Sequence, residues 1–200
     1  MAPKVSVEHA KKVEEKIIQA ARKQFAKKGY ALASMDEIAK SANVSKGGLY
    51  HHFSSKEELF VSLCGKNQQD IQQSFSGLFQ KKENLMLDLG KFYDILYSDD
   101  RNLERIWLTV MAEAQRNPKI KAIIILQRQE SEQWVTGFLM HMWQDIGLFK
   151  DYKDNDLKII AKGMIALLQG TTLDRLTLKD QNATKKAWIK TMHLIFTGSR

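Results

Sequence analysis

The stretch SMDEIAKSANVSKGGLYHHFSSKEELF, residues 34–60, decides the fold of this chain. Ser34 and Glu37 form a capping box, in which the hydroxyl accepts from a first-turn amide and the carboxylate reaches back to the start of the helix. Asn43 interrupts the apolar pattern that follows, because asparagine tolerates the left-handed backbone of a tight turn. We therefore predict a short helix over residues 35–42 that ends in a turn.

A second short helix follows this turn, and a longer helix follows the second one. Ser45 is a candidate N-cap of the second helix, and Leu49 and Phe53 lie four residues apart, so both can pack inward. Ser55 and Glu58 form another capping box, which predicts the start of the longer helix. The stretch thus reads as a helix-turn-helix and a connecting helix.

The segment before this stretch also has helical periodicity. Val13, Ile17, Ala21 and Phe25 are four residues apart and share one helix face. Gly29 comes after two lysines, a combination typical of a helix end with glycine in the left-handed region. The helix-turn-helix is therefore the second part of a three-helix head.

The rest of the chain is predicted to be helical as well. We place helices over residues 84–97, 103–116, 118–146, 156–176 and 183–196. The chain has only 2 prolines and 11 glycines in 200 residues, which argues against an all-β or loop-rich fold. We predict an all-α protein of about nine helices, with a head domain over residues 1–55 and a larger C-terminal helical bundle over residues 56–200.

Charge and composition restrict the function. The formal net charge of +8 favours an anionic partner such as nucleic acid or a membrane surface. The lone cysteine, Cys64, excludes an internal disulfide and a cysteine-based metal cluster, and we expect a buried thiol rather than a redox switch. There is neither a signal-peptide pattern nor an apolar run of about 20 residues. We expect a cytoplasmic protein without a cofactor or metal site.

The predicted second helix of the helix-turn-helix has the residues that entry into a DNA major groove requires. Gly47 and Gly48 remove side-chain bulk where the helix must approach the duplex, at about 1 kcal/mol each relative to alanine. Lys46 lies in the first turn and can reach a phosphate or a guanine. The alternative is that the glycines mark only a turn.

Further candidates for DNA contacts follow these glycines. Tyr50, His51 and His52 fall on or near the exposed side of the helix, where a hydroxyl or an imidazole can bind phosphate. Lys56 lies at the N-terminal end of the next helix, which is a general anion-binding position. Half-buried packing of the aromatic side chains is the alternative.

The segments IIQAARKQFAKKGY, SMDEIAKSANVSKGGLYHHF and SSKEELF, in this order, closely resemble the N-terminal domain of the tetracycline-repressor-like (TetR) family. The resemblance covers residues 17–59 and departs from the family at Ala33, where threonine is common, and at Asn43, where glycine is common. It implies a homodimeric, ligand-responsive transcriptional repressor that binds a double-stranded DNA operator. Ser34, Lys46, Gly47, Tyr50, His51, His52 and Lys56 occupy family DNA-contact positions by this resemblance, and Ser45 and Gly48 complete the predicted set.

The helical body of such a protein usually binds a small-molecule effector. Polar and aromatic side chains share one face of the helix predicted over residues 118–146, which suits a pocket with a few orienting hydrogen bonds. The candidate pocket residues are Phe92, Trp107, Met111, Gln127, Ser131, Trp134, Phe138 and His141. The alternative is an ordinary core in which the polar groups bind their neighbours.

The resemblance implies that the last two helices form the dimer interface. Gly163 and Gly170 are seven residues apart, so they lie on nearly one face and allow close helix approach. The other candidate interface residues are Leu167, Trp188, Met192 and Ile195. A two-fold dimer predicts a roughly palindromic operator. A monomeric bundle that buries the same residues is the alternative.

Two other functions compete with a ligand-responsive repressor. One is a DNA-binding factor that needs no small molecule, either architectural or controlled by a protein partner. The other is an enzyme with a helical body. We rank the enzyme well below the others, because the chain has no nucleophile-base arrangement, no Gly-rich phosphate loop and no metal motif.

Overall fold

The computed structural model of the protein describes residues 4–75, 77–97, 102–149 and 152–198. This part of the chain has nine α-helices and no strand, which confirms the predicted all-α fold. The helices are α1 (Lys4–Leu32), α2 (Met35–Ala42), α3 (Lys46–His52), α4 (Lys56–Phe75), α5 (Leu85–Leu96), α6 (Asn102–Glu113), α7 (Pro118–His141), α8 (Asp154–Thr177) and α9 (Gln181–Thr197). None of these helices combines the length and the apolar composition needed to cross a membrane.

The ends of the helices follow local sequence signals. α1 is interrupted at Gly29, whose φ of 77° and ψ of 163° lie outside the helical and left-handed helical regions. The predicted stop is therefore confirmed, with a more extended glycine than expected. Pro118 begins α7, and a π-helical turn over Met142–Ile146 extends it to Gly147, where φ is 73°. Glycine makes both of these positive φ angles accessible.

The helices pack into two units. Unit 1 comprises residues 1–70 and 100–124, and unit 2 comprises residues 71–99 and 125–200. The predicted head, residues 1–55, lies within unit 1. The helices α4 and α7 each begin in unit 1 and end in unit 2.

Unit 1 has a core in which α1 packs against the helix-turn-helix and the start of α4. Ile17, Phe25 and Leu49 are fully buried, as their spacing predicts. The rings of Phe25, Tyr30 and Phe60 contact one another at centroid distances of 5.4 to 6.1 Å. Burial of each such side chain contributes about 1.5–3 kcal/mol, so this cluster holds the start of α4 on α1.

Side-chain caps fix the starts of α2 and α3, and a left-handed residue ends α2. Ser34 Oγ accepts from the Glu37 amide at 3.3 Å, and Ser45 Oγ accepts from the Gly48 amide at 3.0 Å. Asn43 adopts the left-handed conformation, with φ 56° and ψ 46°. Each of these features is confirmed as predicted, and together they orient α3 relative to α2.

Unit 2 has a core rich in aromatic rings. Phe75, at the end of α4, contacts the rings of Phe79 and Phe92 at 5.1 and 4.8 Å. Phe79 has a positive φ of 58°, and its amide donates to the buried Asp88 carboxylate at 2.9 Å. Asp88 therefore satisfies a backbone donor in the turn that leads from α4 to α5.

Candidate nucleic-acid interface

The helix α3 buries one side and exposes the other. Leu49 is fully buried and Phe53, its C-cap, is 3% exposed. Lys46, Gly47, Tyr50 and His51 are exposed, whereas His52 is half-buried. The sequence-predicted residues of α3 therefore lie on or beside the accessible face, with their positions fixed by the two buried anchors.

The two glycines of α3 differ in the space around them. A Cβ atom added to Gly47 would meet nothing within 4 Å, so the fold of this chain does not require glycine there. A Cβ atom added to Gly48 would lie 3.1 Å from Ser45 Oγ, which caps the helix. Gly48 therefore protects the cap, whereas Gly47 leaves open space in front of the helix.

Lys46 contacts a carboxylate across the helix-turn-helix. Its ammonium lies 2.9 Å from Asp36 Oδ1 and 3.0 Å from Asp36 Oδ2. The hydrogen bond to Asp36 and the charge of that carboxylate raise the pKa of Lys46. Tyr50 is close enough to add to this effect. The cation that is predicted to contact DNA is therefore already paired in the free protein.

Lys56 has backbone partners within unit 1. Its ammonium donates to the carbonyls of Tyr30, Ala31 and Ala33 at 2.9, 3.1 and 3.1 Å. A lysine ammonium has three N–H donors, and these contacts use all of them. A phosphate contact, which stays a prediction, would require Lys56 to release one of these carbonyls.

The N-terminal end of α4 is capped by protein groups. Ser55 Oγ accepts from the Glu58 amide at 3.1 Å, which is the first half of the predicted capping box. The Glu58 carboxylate accepts from the amide and the hydroxyl of Ser54 rather than from Ser55. These hydrogen bonds from Ser54 lower the pKa of Glu58. A phosphate approaching this helix end would meet the carboxylates of Glu57 and Glu58 in the first turn.

The sequence analysis assigned Glu37 to a capping box but did not predict the ion pairs that Asp36 and Glu37 form. Lys28 donates to Glu37, and this hydrogen bond is the main reason why the pKa of Glu37 is lowered. Asp36 pairs with Lys46 in the same way. The partners are nine and ten residues apart, which is not a spacing within one helix, so no periodic signal marks them.

Three of the predicted pocket residues share one aromatic cluster in unit 2. The Phe75 ring contacts the rings of Phe92, Trp134 and Phe138 at 4.8, 5.2 and 4.7 Å. Trp134 and Phe138 are stacked at 6.2 Å. The structure thus brings these three side chains together around the end of α4.

The other predicted pocket residues do not join this cluster. Gln127 donates to Glu130 at 3.0 Å, and Ser131 donates to the Gln127 carbonyl at 2.8 Å. His141 is exposed and pairs with Asp145. These hydrogen bonds are local to α7 and its extension. Trp107 and Met111 lie half-buried on α6, in unit 1.

The predicted dimer residues fall into two groups. Gly163 and Gly170 are exposed on α8, and Leu167 is half-buried between them. On α9, Trp188 and Met192 are 2% and 1% exposed, because they form the core of unit 2. The half-buried side chain of Ile195 packs against the same core. The α9 residues with the strongest apolar pattern therefore stabilise the subunit itself.

An exposed row on α8 continues the face that carries the two glycines. Its members follow one another at alternating spacings of four and three residues: Ile159, Gly163, Ala166, Gly170 and Leu173. Ile159 and Leu173 are 61% and 45% exposed. We call this set the α8 row. On α9, Ala183, Ala187 and Leu194 are exposed as well. The periodicity of the sequence identifies the apolar residues on the faces of α8 and α9. It does not show which of these faces is buried within the subunit.

Burial raises the pKa of the Cys64 thiol to about 12. A thiol with such a pKa is almost fully protonated near neutral pH, and the thiolate is the reactive form. Cys64 is half-buried against the core of unit 1, and its protonated thiol has the properties expected of a packed apolar residue rather than of a redox sensor.

Comparisons with known proteins agree with this geometry. Residues 17–63 match the family described as bacterial regulatory proteins, tetR family. The HTH-type transcriptional regulator YerO of Bacillus subtilis is 47% identical over 160 residues, which cover 76% of this chain and 53% of YerO. The biofilm operon negative transcriptional regulator IcaR of Staphylococcus epidermidis is 32% identical over 96 residues, which cover 42% of this chain and 51% of IcaR.

The similarity to solved structures extends over nearly the whole chain. The regulator FadR of Bacillus subtilis, solved in complex with stearoyl-CoA, superposes with a TM-score of 0.68 at 23% identity and covers 93% of this chain and 99% of its own. This similarity concerns the fold. The first three curated relatives are matched over 29%, 53% and 64% of their own lengths. The chain thus spans less than two thirds of the length of each of these relatives.

Proposed function

Because the chain belongs to the TetR family of bacterial regulatory proteins, we propose that it is a dimeric transcriptional repressor that binds a palindromic DNA operator and is released by a small-molecule effector. The observation that carries this proposal is the exposed face of α3. Lys46, Gly47, Tyr50 and His51 lie on it, and Leu49 anchors it from behind.

The geometry of α3 suits a recognition helix. The major groove of B-DNA is about 12 Å wide and admits one α-helix. The open space in front of Gly47 allows the N-terminal end of α3 to come close to base edges. Ser34 and Ser45, which cap α2 and α3, are exposed at the same helix ends. We assign Lys46, Tyr50 and His51 to direct contacts, and Ser34, Ser45, Gly47 and Gly48 to shaping the face. Phosphate contacts of His52 and Lys56 stay predictions.

The α8 row supports a dimer. Glycine and alanine at its centre permit close approach of a second helix, and exposed Ile159 and Leu173 would gain from burial at its ends. A two-fold axis beside the row presents the same residues from both subunits, which is the usual symmetry of a homodimer. Two heads then contact two half-sites about 34–36 Å apart, and the operator is palindromic.

The aromatic cluster around Phe75 supports an effector site. It is built of packed apolar rings, and the Trp188 indole N–H beside it is buried without an acceptor among the described residues. An apolar effector with an oxygen acceptor would satisfy that donor. FadR of Bacillus subtilis was solved with stearoyl-CoA, a molecule of this general kind. Displacement of Phe75 would move α4, whose first residues belong to unit 1 and follow the head directly.

Release by an effector requires that it bind the DNA-free conformation more tightly than the DNA-bound one. Repression as the direction of control follows the description of IcaR as a negative regulator. A regulator without a small-molecule ligand is the second candidate, and the local hydrogen bonds of Gln127 and Ser131 favour it. The relatives reported above are described as regulators, which ranks an enzymatic function lowest.

The first test is to incubate the purified protein with sheared DNA from its own genome and to sequence what it retains at near-physiological salt. A short palindrome upstream of a few genes is the expected result. Retention of DNA without a shared sequence would favour an architectural factor. Operator binding that no acyl-CoA, fatty acid or other apolar small molecule alters would support the second candidate.

A further inference from the structure

Asp36 places a negative charge on the face that the proposed function turns towards DNA. Both of its carboxylate oxygens contact the Lys46 ammonium, at 2.9 and 3.0 Å. Asp36 lies in the first turn of α2, and Lys46 is the first residue of α3, so the contact spans the helix-turn-helix. A carboxylate at this position repels phosphate, and non-specific affinity for DNA depends on phosphate contacts.

Stability alone gives little reason for this pair. The side chains of Lys46 and Asp36 are 64% and 54% exposed, and an exposed ion pair of this kind contributes little to stability. A carboxylate in the first turn stabilises a helix by its interaction with the helix dipole, but Glu37 already supplies a carboxylate in the same turn of α2. The position of Asp36 therefore has its main consequence at the surface, where a ligand of the head would approach.

The contact between Asp36 and Lys46 determines what can recruit the lysine. On an arbitrary duplex a phosphate must compete with a carboxylate that is already within hydrogen-bonding distance. A G·C base pair offers more, because guanine O6 and N7 accept from lysine while the cytosine N4 amino group donates to a carboxylate. A lysine and a carboxylate held together thus complement the major-groove edge of that base pair.

We propose that Asp36 is a specificity-determining residue of the head, which withholds Lys46 from backbone phosphates and releases it to a G·C base pair. This inference rests on the proposed function. Tyr50, one helical turn after Lys46 on α3 and 43% exposed, remains available to phosphate when the lysine turns to a base. Asp36 then lowers the affinity for DNA of arbitrary sequence, and this loss is what distinguishes the operator from other DNA.

The test is a parallel selection from a random-sequence duplex library with the full-length protein, its Asp36→Asn variant and a Glu8→Gln control. Glu8 pairs with Lys12 at 3.0 Å on α1, so the control removes an equivalent charge from another exposed pair of the head. We expect the wild-type protein and the control to select the same half-site. Asp36→Asn should lose about tenfold in preference at one G·C position and keep the others.

Salt dependence supplies the second readout. On a random duplex we expect Asp36→Asn to bind more tightly than the control and to show a log-log salt slope steeper by about one, because Lys46 gains a phosphate. In a Lys46→Gln background the same Asp36→Asn change should leave the slope nearly constant. This background separates an effect through Lys46 from a general change in charge.

Several outcomes would overturn the inference. It fails alone if the wild-type protein selects a palindrome and Asp36→Asn selects it with the same preference and salt slope as Glu8→Gln. It also fails if Asp36→Asn lowers the unfolding temperature more than the control does, since Asp36 is then a structural residue. If the wild-type protein selects no sequence at all, the proposed function and the inference fall together.

Discussion

Lys56 and Tyr30 join the start of α4 to the end of α1. The Lys56 ammonium donates to the Tyr30 carbonyl at 2.9 Å and lies 4.6 Å from the centre of the Tyr30 ring. It also donates to the carbonyls of Ala31 and Ala33. The last carbonyls of a helix lack partners within it, so Lys56 acts as a cap from another helix.

Replacement of Lys56 by methionine should destabilise the protein. The change keeps an apolar chain over the Tyr30 ring but removes three donors, and charged hydrogen bonds contribute about 1.5–3 kcal/mol in favourable cases. We expect a loss of about 2 kcal/mol, since water replaces part of the lost bonding. Urea unfolding followed by circular dichroism measures it.

Lys66→Met is the control for this prediction. Lys66 pairs with exposed Asp70 at 3.1 Å, so the control should lose less than about 1 kcal/mol. Equal stability of the two variants, with a salt slope for DNA binding flatter by about one in Lys56→Met, would assign Lys56 to a phosphate contact instead.

Gly47→Ala should stabilise the fold and weaken DNA binding. Alanine is favoured over glycine in a helix by about 1 kcal/mol, and an added Cβ at this position meets nothing within 4 Å. Gly47→Leu should reduce operator affinity further while circular dichroism stays unchanged. Gly48→Ala is the matched comparison, because its Cβ would press on Ser45 Oγ and offset the gain. Loss of helicity in Gly47→Leu would make this glycine a structural residue.

Ala166→Arg should convert the proposed dimer into monomers. The residue is at the centre of the α8 row, and a close two-fold contact there would bring two buried charges together. Sedimentation equilibrium should show a monomer with normal helicity and with affinity for a half-site only. Ala112→Arg, at an exposed alanine of α6, serves as the control. A dimer that survives Ala166→Arg would exclude the α8 row as the interface.

Cys64 should react with a thiol reagent only when the chain unfolds. At pH 8 a group with a pKa of about 12 is thiolate in about one molecule in ten thousand. A raised pKa in the folded state also means that this thiol contributes its full stability below its unfolded pKa of about 8.5 and loses it as pH rises towards 12. Labelling with Ellman's reagent at pH 8, with and without urea, checks the reactivity. Rapid labelling of the folded protein would reopen the redox function.

Local features of the fold could be predicted from the sequence with good accuracy. The caps at Ser34 and Ser45, the left-handed Asn43 and the break at Gly29 are all confirmed. They depend on interactions between residues no more than four positions apart, and the identities of those residues nearly determine the backbone conformation. The predicted DNA-contact set follows from this local geometry together with the family resemblance.

Only the tertiary structure decided which charges pair and which apolar faces are buried. The contacts of Lys46 with Asp36 and of Lys56 with the end of α1 join residues that approach one another through the packing of separate helices. Trp188 is a core residue whereas the α8 row is exposed, although both belong to apolar helix faces. The periodicity of the sequence identifies an apolar helix face but not the helix that packs against it. Whether the face is buried depends on that neighbouring helix.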